Sequence, residues 1–340
     1  MCGGLSIAVV VPPLTWDNTG GVSPSDGKTW DIGANNNWNN GSAATVYTDG
    51  RSVTFNDSNN GNYAVTLNTN VSPGSLTKMG NGTLTLSTVN TYTGGTIINA
   101  GTLVVGVNGA LPNSSVRITG GTLQLCASAG LAQMTSLSIT GNGTLDITNN
   151  QVIITYGGGP DPIATIAADI KSGCNGGAWN GPGIISSAAQ TPTNGLLYGV
   201  GYADGSDYVV YGLPPGEIEL KYTLLGDANL DGLVNGSDFT ILVSNLRKSV
   251  STFGGEEESG WDEGDFNYDG VVNDSDFTAL VTNLGKTASG GDVVLPASGY
   301  AAVDAYAAAN GLMADVPEPA SLGMAALTAA VLLPRRRRPL

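Results

Sequence analysis

The chain has 340 residues, of which 50 are glycine, only 12% are charged and none is histidine. Without imidazole there is no Ser–His or Cys–His nucleophile, no histidine metal ligand and no imidazole acid–base catalysis. The net charge of −15 is uneven, with 17 of the 28 acidic residues between Asp204 and Asp292 and four of the 13 basic ones at Arg335–Arg338, so the body of the chain has no basic patch for nucleic acid.

At the N-terminus, Gly3 to Pro13 is apolar, but the first basic residue is Lys28. A secretory signal has a charged start and a longer apolar core, so 1–13 is expected to be a truncated or remnant signal segment. Cys2, preceded only by Met1, is not placed as a lipoprotein cysteine. Cys126 and Cys174 are read either as a bridge or as buried free thiols.

Gly-Thr-Leu recurs at Gly82–Leu84, Gly101–Leu103, Gly121–Leu123 and Gly143–Leu145, at spacings of 19, 20 and 22. A period near 20 with short alternating strands predicts a solenoid. Leu84 and Leu86, Leu103 and Val105, Leu123 and Leu125, and Leu145 and Ile147 are the apolar pairs expected to stack inside it. The turn signals Asn81-Gly82, Asn108-Gly109 and Asn142-Gly143 separate the strands. Between 76 and 150 the charged residues are Lys78, Arg117 and Asp146, too few for a clustered catalytic site.

Gly80 to Leu86, Asn90 to Thr96 and Asn99 to Leu103, within 78–106, resemble the autotransporter-associated β-strand repeat. Trp16-Asp17, Trp30-Asp31, Trp38 and Asp49-Gly50 followed by Val53-Thr54-Phe55 look like the lead-in of such proteins. The resemblance implies a right-handed parallel β-helix over 14–150. No terminal series of alternating strands suggests a membrane barrel.

Residues 151–222 are read as a β-rich capping or covering segment for the open end of the solenoid. Within it, Pro162–Lys171 is a short helix candidate and Gly173–Ile184 a Gly-rich loop around Trp179. Asp161, Asp169 and Lys171 are the remaining candidates for an enzymatic site on the solenoid, with ordinary surface charge as the alternative.

Gly226–Lys248 and Gly264–Lys286 agree at 16 of 23 positions. Counting Asp227 as position 1, Asn229, Asp231, Asn235 and Asp238 stand at 3, 5, 9 and 12. Asp265, Asn267, Asp269, Asn273 and Asp276 repeat this. These are the offsets of an EF-hand calcium loop, with a main-chain carbonyl at position 7 from Leu233 and Val271, and Gly232 and Gly270 at the turn. Position 12 is Asp rather than the usual Glu. Phe239, Leu242, Val243 and Leu246, and then Phe277, Leu280, Val281 and Leu284, fall on one face of a helix after each loop. Asn235 and Asp238 also read as a helix start. The doubled pattern resembles a type I dockerin over about 223–288. The resemblance implies two Ca²⁺ ions that drive folding of a small α-helical pair. It also implies contacts with a cohesin partner near Gly236, Ser237, Asp274 and Ser275.

The Ala- and Gly-rich stretch 289–315 is expected to be a linker. Beyond it, Pro317-Glu318-Pro319, an apolar run over 322–333 and Arg335, Arg336, Arg337 and Arg338 resemble a PEP-CTERM sorting signal over 316–340. That resemblance implies transient membrane association through 322–333, processing by an exosortase, and delivery to the envelope or matrix of a Gram-negative bacterium. A plain tail anchor is the alternative.

The expectation is a mainly β protein, a parallel β-helix followed by a dockerin-like helical domain. Its role is expected to be that of a non-enzymatic exported envelope or matrix scaffold or adhesion protein, with no nucleic-acid partner. The alternatives are a docking subunit of a polysaccharide-degrading assembly, bound to a cohesin-like protein or an extracellular polysaccharide, or a β-helix carbohydrate-active enzyme.

Overall fold

A computed structural model describes residues 12–16, 29–56, 64–67, 69–191, 195–246, 260–293 and 295–312. The residues read as a sorting signal, the segment before Pro12 and Asp17 lie outside the described residues.

The chain starts with the short strands β1 (Leu14–Trp16), β2 (Thr29–Trp30), β3 (Trp38–Asn39) and β4 (Ala44–Thr45). It continues through β5 (Val53–Phe55), β6 (Ala64–Leu67), β7 (Leu76–Lys78), β8 (Thr83–Leu86), β9 (Thr96–Ile98) and β10 (Thr102–Val105). Then come β11 (Ser114–Ile118), β12 (Thr122–Leu125), β13 (Leu131–Ile139), β14 (Thr144–Asp146) and β15 (Gln151–Thr155). From β5 onward, successive strands alternate between two sheets, each pairing in parallel with the strand two places on. The result is a parallel β-solenoid of about five turns.

The expected leucine stack is present as an in-register ladder. Leu84 pairs with Leu103, Leu103 with Leu123, and Leu123 with Leu145. All four are at most 1% exposed. Side chains alternate across a strand, so a repeat that returns the same apolar residue to the same phase buries it coil after coil. Asparagine amides tie the turns together. Asn90 Nδ2 donates to Ala110 O at 2.7 Å, and Asn150 Nδ2 to Cys126 O at 2.8 Å.

Two of the three charges of the repeat region serve the same purpose. Buried Lys78 donates to the carbonyls of Met79, Gly80 and Ala100. Asp146, also buried, accepts from Gln124 Nε2 and from the Thr148 and Ser187 N–H groups. At the N-terminal end, Trp16, Trp30, Trp38, Tyr47 and Phe55 form one aromatic cluster. Its contacts include an edge-on Trp16–Trp38 pair at 5.1 Å and a Trp30–Tyr47 pair at 5.2 Å. The lead-in tryptophans thus fill the first coil with a few large rings.

The solenoid runs past 150. After β15, helix α1 (Ile163–Cys174) packs against β16 (Gly183–Ile185), which adds to β14 and carries the ladder on from Leu145 to Ile184. Cys126 and Cys174 are free thiols. Strands β17 (Tyr198–Asp204) and β18 (Glu217–Leu224) then form an antiparallel hairpin, with β18 on β15 and β17 last in the 11-stranded sheet.

Helices α2 (Gly236–Asn245) and α3 (Asp274–Thr282) follow the two loops. Phe239, Leu242, Phe277, Leu280, Val281 and Leu284 are buried as the periodicity requires, but Val243 is 38% exposed. The stretch 289–315 contains a further helix, α4 (Ala297–Asn310), where a linker was expected. Its Tyr306 ring packs on Phe277 at 4.8 Å and Phe239 at 6.0 Å, and Val303 and Ala307 are fully buried. Alanine-rich sequence suits helix as well as linker, and here the apolar surface of α2 and α3 gives the helix something to pack on.

Leu123→Ala removes a fully buried rung from the middle of the ladder. It is expected to cost about 2–5 kcal/mol in denaturant unfolding monitored by circular dichroism.

Candidate metal centre

Each loop is shaped by its own side chains in the same way. The carboxylate at position 1 accepts from the N–H at position 6, Asp227 from Gly232 at 3.0 Å and Asp265 from Gly270 at 2.8 Å. The carboxylate at position 12 closes the ring. Asp238 accepts from Ala228 N–H at 2.9 Å and Asn235 N–H at 2.9 Å, and Asp276 accepts from Phe266 N–H at 2.8 Å and Asn273 N–H at 2.9 Å. Asn229 and Asn267 accept from the N–H of Asp231 and Asp269, which in turn accept from the N–H of Leu233 and Val271.

Asp at position 12 has a second role. Asn235 and Asn273 are the N-caps of α2 and α3, and Asp238 and Asp276 complete a capping box at each. The shorter side chain is therefore a helix cap and a loop wall at once.

The two units interlock reciprocally. A Cβ on Gly226, at φ 102°, would lie 2.7 Å from Leu280 Cα of α3. One on Gly264, at φ 109°, would lie 3.0 Å from Leu242 Cα of α2. The glycine that opens each loop lets the partner's helix approach, and Phe239 and Phe277 meet edge-on at 6.2 Å between them.

The carboxylates are placed against their own ionisation. Asp227, Asp238, Asp265 and Asp276 are at most 2% exposed. Burial pushes Asp238 up to about 8, Asp276 to about 7 and Asp227 to about 6, with neighbouring loop carboxylates adding repulsion. Asp265 is raised for the same reasons. Asp227 Oδ1 is buried with no hydrogen-bond donor, an arrangement that calls for a cation. Among the described residues, no three Asp, Glu or Cys side chains gather closely enough to hold an ion by themselves. A metal would therefore need the mixed set, with Asn229, Asn235, Asn267 and Asn273 and the Leu233 and Val271 carbonyls beside the carboxylates. This donor set, all oxygen, fits a hard cation. Asp231, Asp269, Asn267 and Val271 are exposed at the loop mouths.

Several contacts had no signal in the loop motif. Thr223 of β18 donates to Asp227 Oδ2, Trp261 Nε1 donates to Asp227 O at 2.8 Å, and Lys171 of α1 reaches Asp269 O at 3.2 Å. Residues 285–293 clasp the first loop, with Val234 N–H on Lys286 O and Ala288 N–H on Gly232 O. Of the possible partner contacts, Ser237, Asp274 and Ser275 are exposed at the helix starts, while Asp274 accepts from Tyr306 of α4 at 2.9 Å. Gly236 is half-buried.

On the solenoid side, the candidates Asp161 and Lys171 bond to different partners. Asp161 accepts from Ile163 N–H at the start of α1, and the Tyr156 hydroxyl donates to Asp204 at 2.8 Å while lying 3.2 Å from Asp161. Burial raises Asp161 and pushes Asp169 up to about 6. Trp179 of the Gly-rich loop is buried edge-on against Tyr268 at 5.7 Å.

A family model of the passenger-associated-transport-repeat matches residues 76–105, and one of the dockerin type I domain matches residues 225–285. Dockerin type I domains typically bind calcium and generally bind cohesins. Neither a curated protein nor a solved structure matches the chain.

The raised carboxyls set a pH dependence. A carboxyl with an ordinary value of 3.8 that rises to about 8 in the fold binds its proton more tightly when folded. In chelator, its stabilisation is full below pH 3.8 and is lost as pH rises through 8. A cation held by the same carboxylates would displace those protons, so the difference in melting temperature between calcium and EDTA is expected to be larger at pH 8 than at pH 5. Differential scanning calorimetry in both buffers measures it.

Proposed function

We propose that this protein is a non-enzymatic, exported envelope or matrix scaffold whose C-terminal loop pair holds two Ca²⁺ ions. The observation that carries this reading is the duplicated loop. The same buried carboxylates at positions 1 and 12 occur twice, and in the first loop a buried Asp227 oxygen has no donor. One ion is assigned to Asp227, Asn229, Asp231, Asn235, Asp238 and the Leu233 carbonyl, and the other to Asp265, Asn267, Asp269, Asn273, Asp276 and the Val271 carbonyl. The two family matches support an exported scaffold or docking role. The structural employment of Lys78 and Asp146 supports a solenoid that displays surface rather than carrying out a reaction. Export would use the 316–340 tail as a sorting signal for an exosortase.

A second reading has its own support in the dockerin match over 225–285, namely a docking module for a cohesin-like partner. Ser237 and Ser275, exposed at the two helix starts, would face that partner. Immobilised cohesin domains that retain the protein in calcium and release it in EDTA would favour docking. No retention in either buffer leaves the scaffold.

Isothermal titration of the full chain with Ca²⁺ is expected to give two ions per chain. Asp227→Ala is expected to leave one ion and to lower the melting temperature. An unchanged stoichiometry would contradict the ligand assignment.

A further inference from the structure

Strand β17 lies at one end of the 11-stranded sheet, with β18 on one side and, among the described residues, no strand on the other. Such an edge normally presents a row of open N–H and C=O groups. Yet all seven of its residues are buried. The cover comes from the loop pair, where the Tyr268 side chain imitates a residue of a neighbouring strand.

The Tyr268 hydroxyl accepts from Val200 N–H at 3.0 Å and donates to Val200 C=O at 3.2 Å. One residue before the strand, Leu197 faces the other way: its C=O accepts from Leu225 N–H at 2.9 Å, and Asn283 bridges this pair, accepting from Leu197 N–H at 3.1 Å and donating to the carbonyls of Leu197 and Leu225 at 2.8 Å. Tyr268 thus makes both hydrogen bonds that a residue of a paired strand would make to Val200, and Asn283 closes the end of the hairpin. The fit depends on two glycines. A Cβ on Gly199 would lie 2.6 Å from the Tyr268 hydroxyl, and one on Gly201 would lie 2.8 Å from Trp261 Nε1.

Tyr268 and Trp261 tie this cover to the ion loops. Tyr268 stands between the candidate ligands Asn267 and Asp269, and Trp261 is bonded to the carbonyl of Asp227. The strand itself, Tyr-Gly-Val-Gly-Tyr-Ala-Asp, has no Lys, Arg or Pro to discourage pairing. Its protection comes from the pair.

We propose that the loop pair is a calcium-dependent plug on the β17 edge, and that withdrawing the ion frees this edge to pair antiparallel with the same strand of a second copy. A second copy is the occupant because antiparallel pairing of a strand with itself is two-fold symmetric and closes after one partner. Main-chain pairing also needs no side-chain match. The gate rests on the calcium reading above, whereas the plug rests on the contacts alone.

The test uses the full chain in calcium and in EDTA, followed by sedimentation velocity and by hydrogen exchange read at residues 198–204. With calcium, Val200 N–H is expected to exchange slowly in a monomer. In EDTA its exchange is expected to rise by about tenfold or more, with a dimer that dissociates when calcium returns. Tyr268→Ala deletes the plug without touching a ligand and is expected to dimerise even in calcium. Tyr268→Phe keeps the ring and is expected to speed exchange at Val200 with the same calcium stoichiometry, a readout that survives if the alanine variant fails to fold. Metal-free protein that stays monomeric overturns the proposal, as does a dimer in which Val200 exchange keeps its calcium-loaded rate. Titration of the same samples separates the two readings. If no calcium binds but Tyr268→Ala still dimerises, the gate is overturned and the plug stands.

Discussion

Every N–H and C=O along a parallel solenoid needs a partner, and the sheet supplies one only from the coil before or the coil after. Inside the stack this demand is met automatically, as the Leu84–Leu103–Leu123–Leu145 register shows. At the two ends it is not met, and there the molecule changes character. The first coil is closed by short antiparallel strands over a cluster of tryptophans. The last is closed by an antiparallel hairpin, whose end Asn283 bridges, and then by the Tyr268 side chain standing in for a strand. The helical pair can be understood as part of this closure as much as a module in its own right.

The loops face a different constraint. A carboxylate buried without a cation resists ionisation, and Asp238 and Asp276 are buried nearly completely. Their backbone hydrogen bonds hold the loop in shape but do not offset the loss of water and the mutual repulsion. The same burial that makes the ion-free loop uneasy brings its oxygens inward, where a hard cation would be held. The Asp at position 12 also completes the cap of the following helix, so loop closure and helix initiation are a single event.

The two constraints meet at a few residues. Thr223 belongs to β18 and donates to Asp227, Lys171 belongs to α1 and reaches Asp269, and Trp261 joins the first loop to the glycine face of β17. Solenoid and loop pair therefore share an interface. In contrast, α4 packs on the far side of the pair through Tyr306, Val303 and Ala307.

Features with a fixed period or offset were determined by the sequence itself. The Gly-Thr-Leu repeat predicted the buried ladder because strand side chains alternate strictly. The doubled loop predicted α2, α3 and their Asn235 and Asn273 caps because capping is a matter of local spacing. Only tertiary structure could decide that Val243 faces water while its counterpart Val281 is buried, that the alanine-rich stretch after the pair becomes α4, that Tyr268 satisfies a strand edge, and that Asn283 bridges the end of the β17–β18 hairpin. Those outcomes depend on residues 68 and 86 positions apart finding each other. Neither periodicity nor propensity encodes such meetings, because they are settled by which surfaces remain unpaired once the local elements have formed.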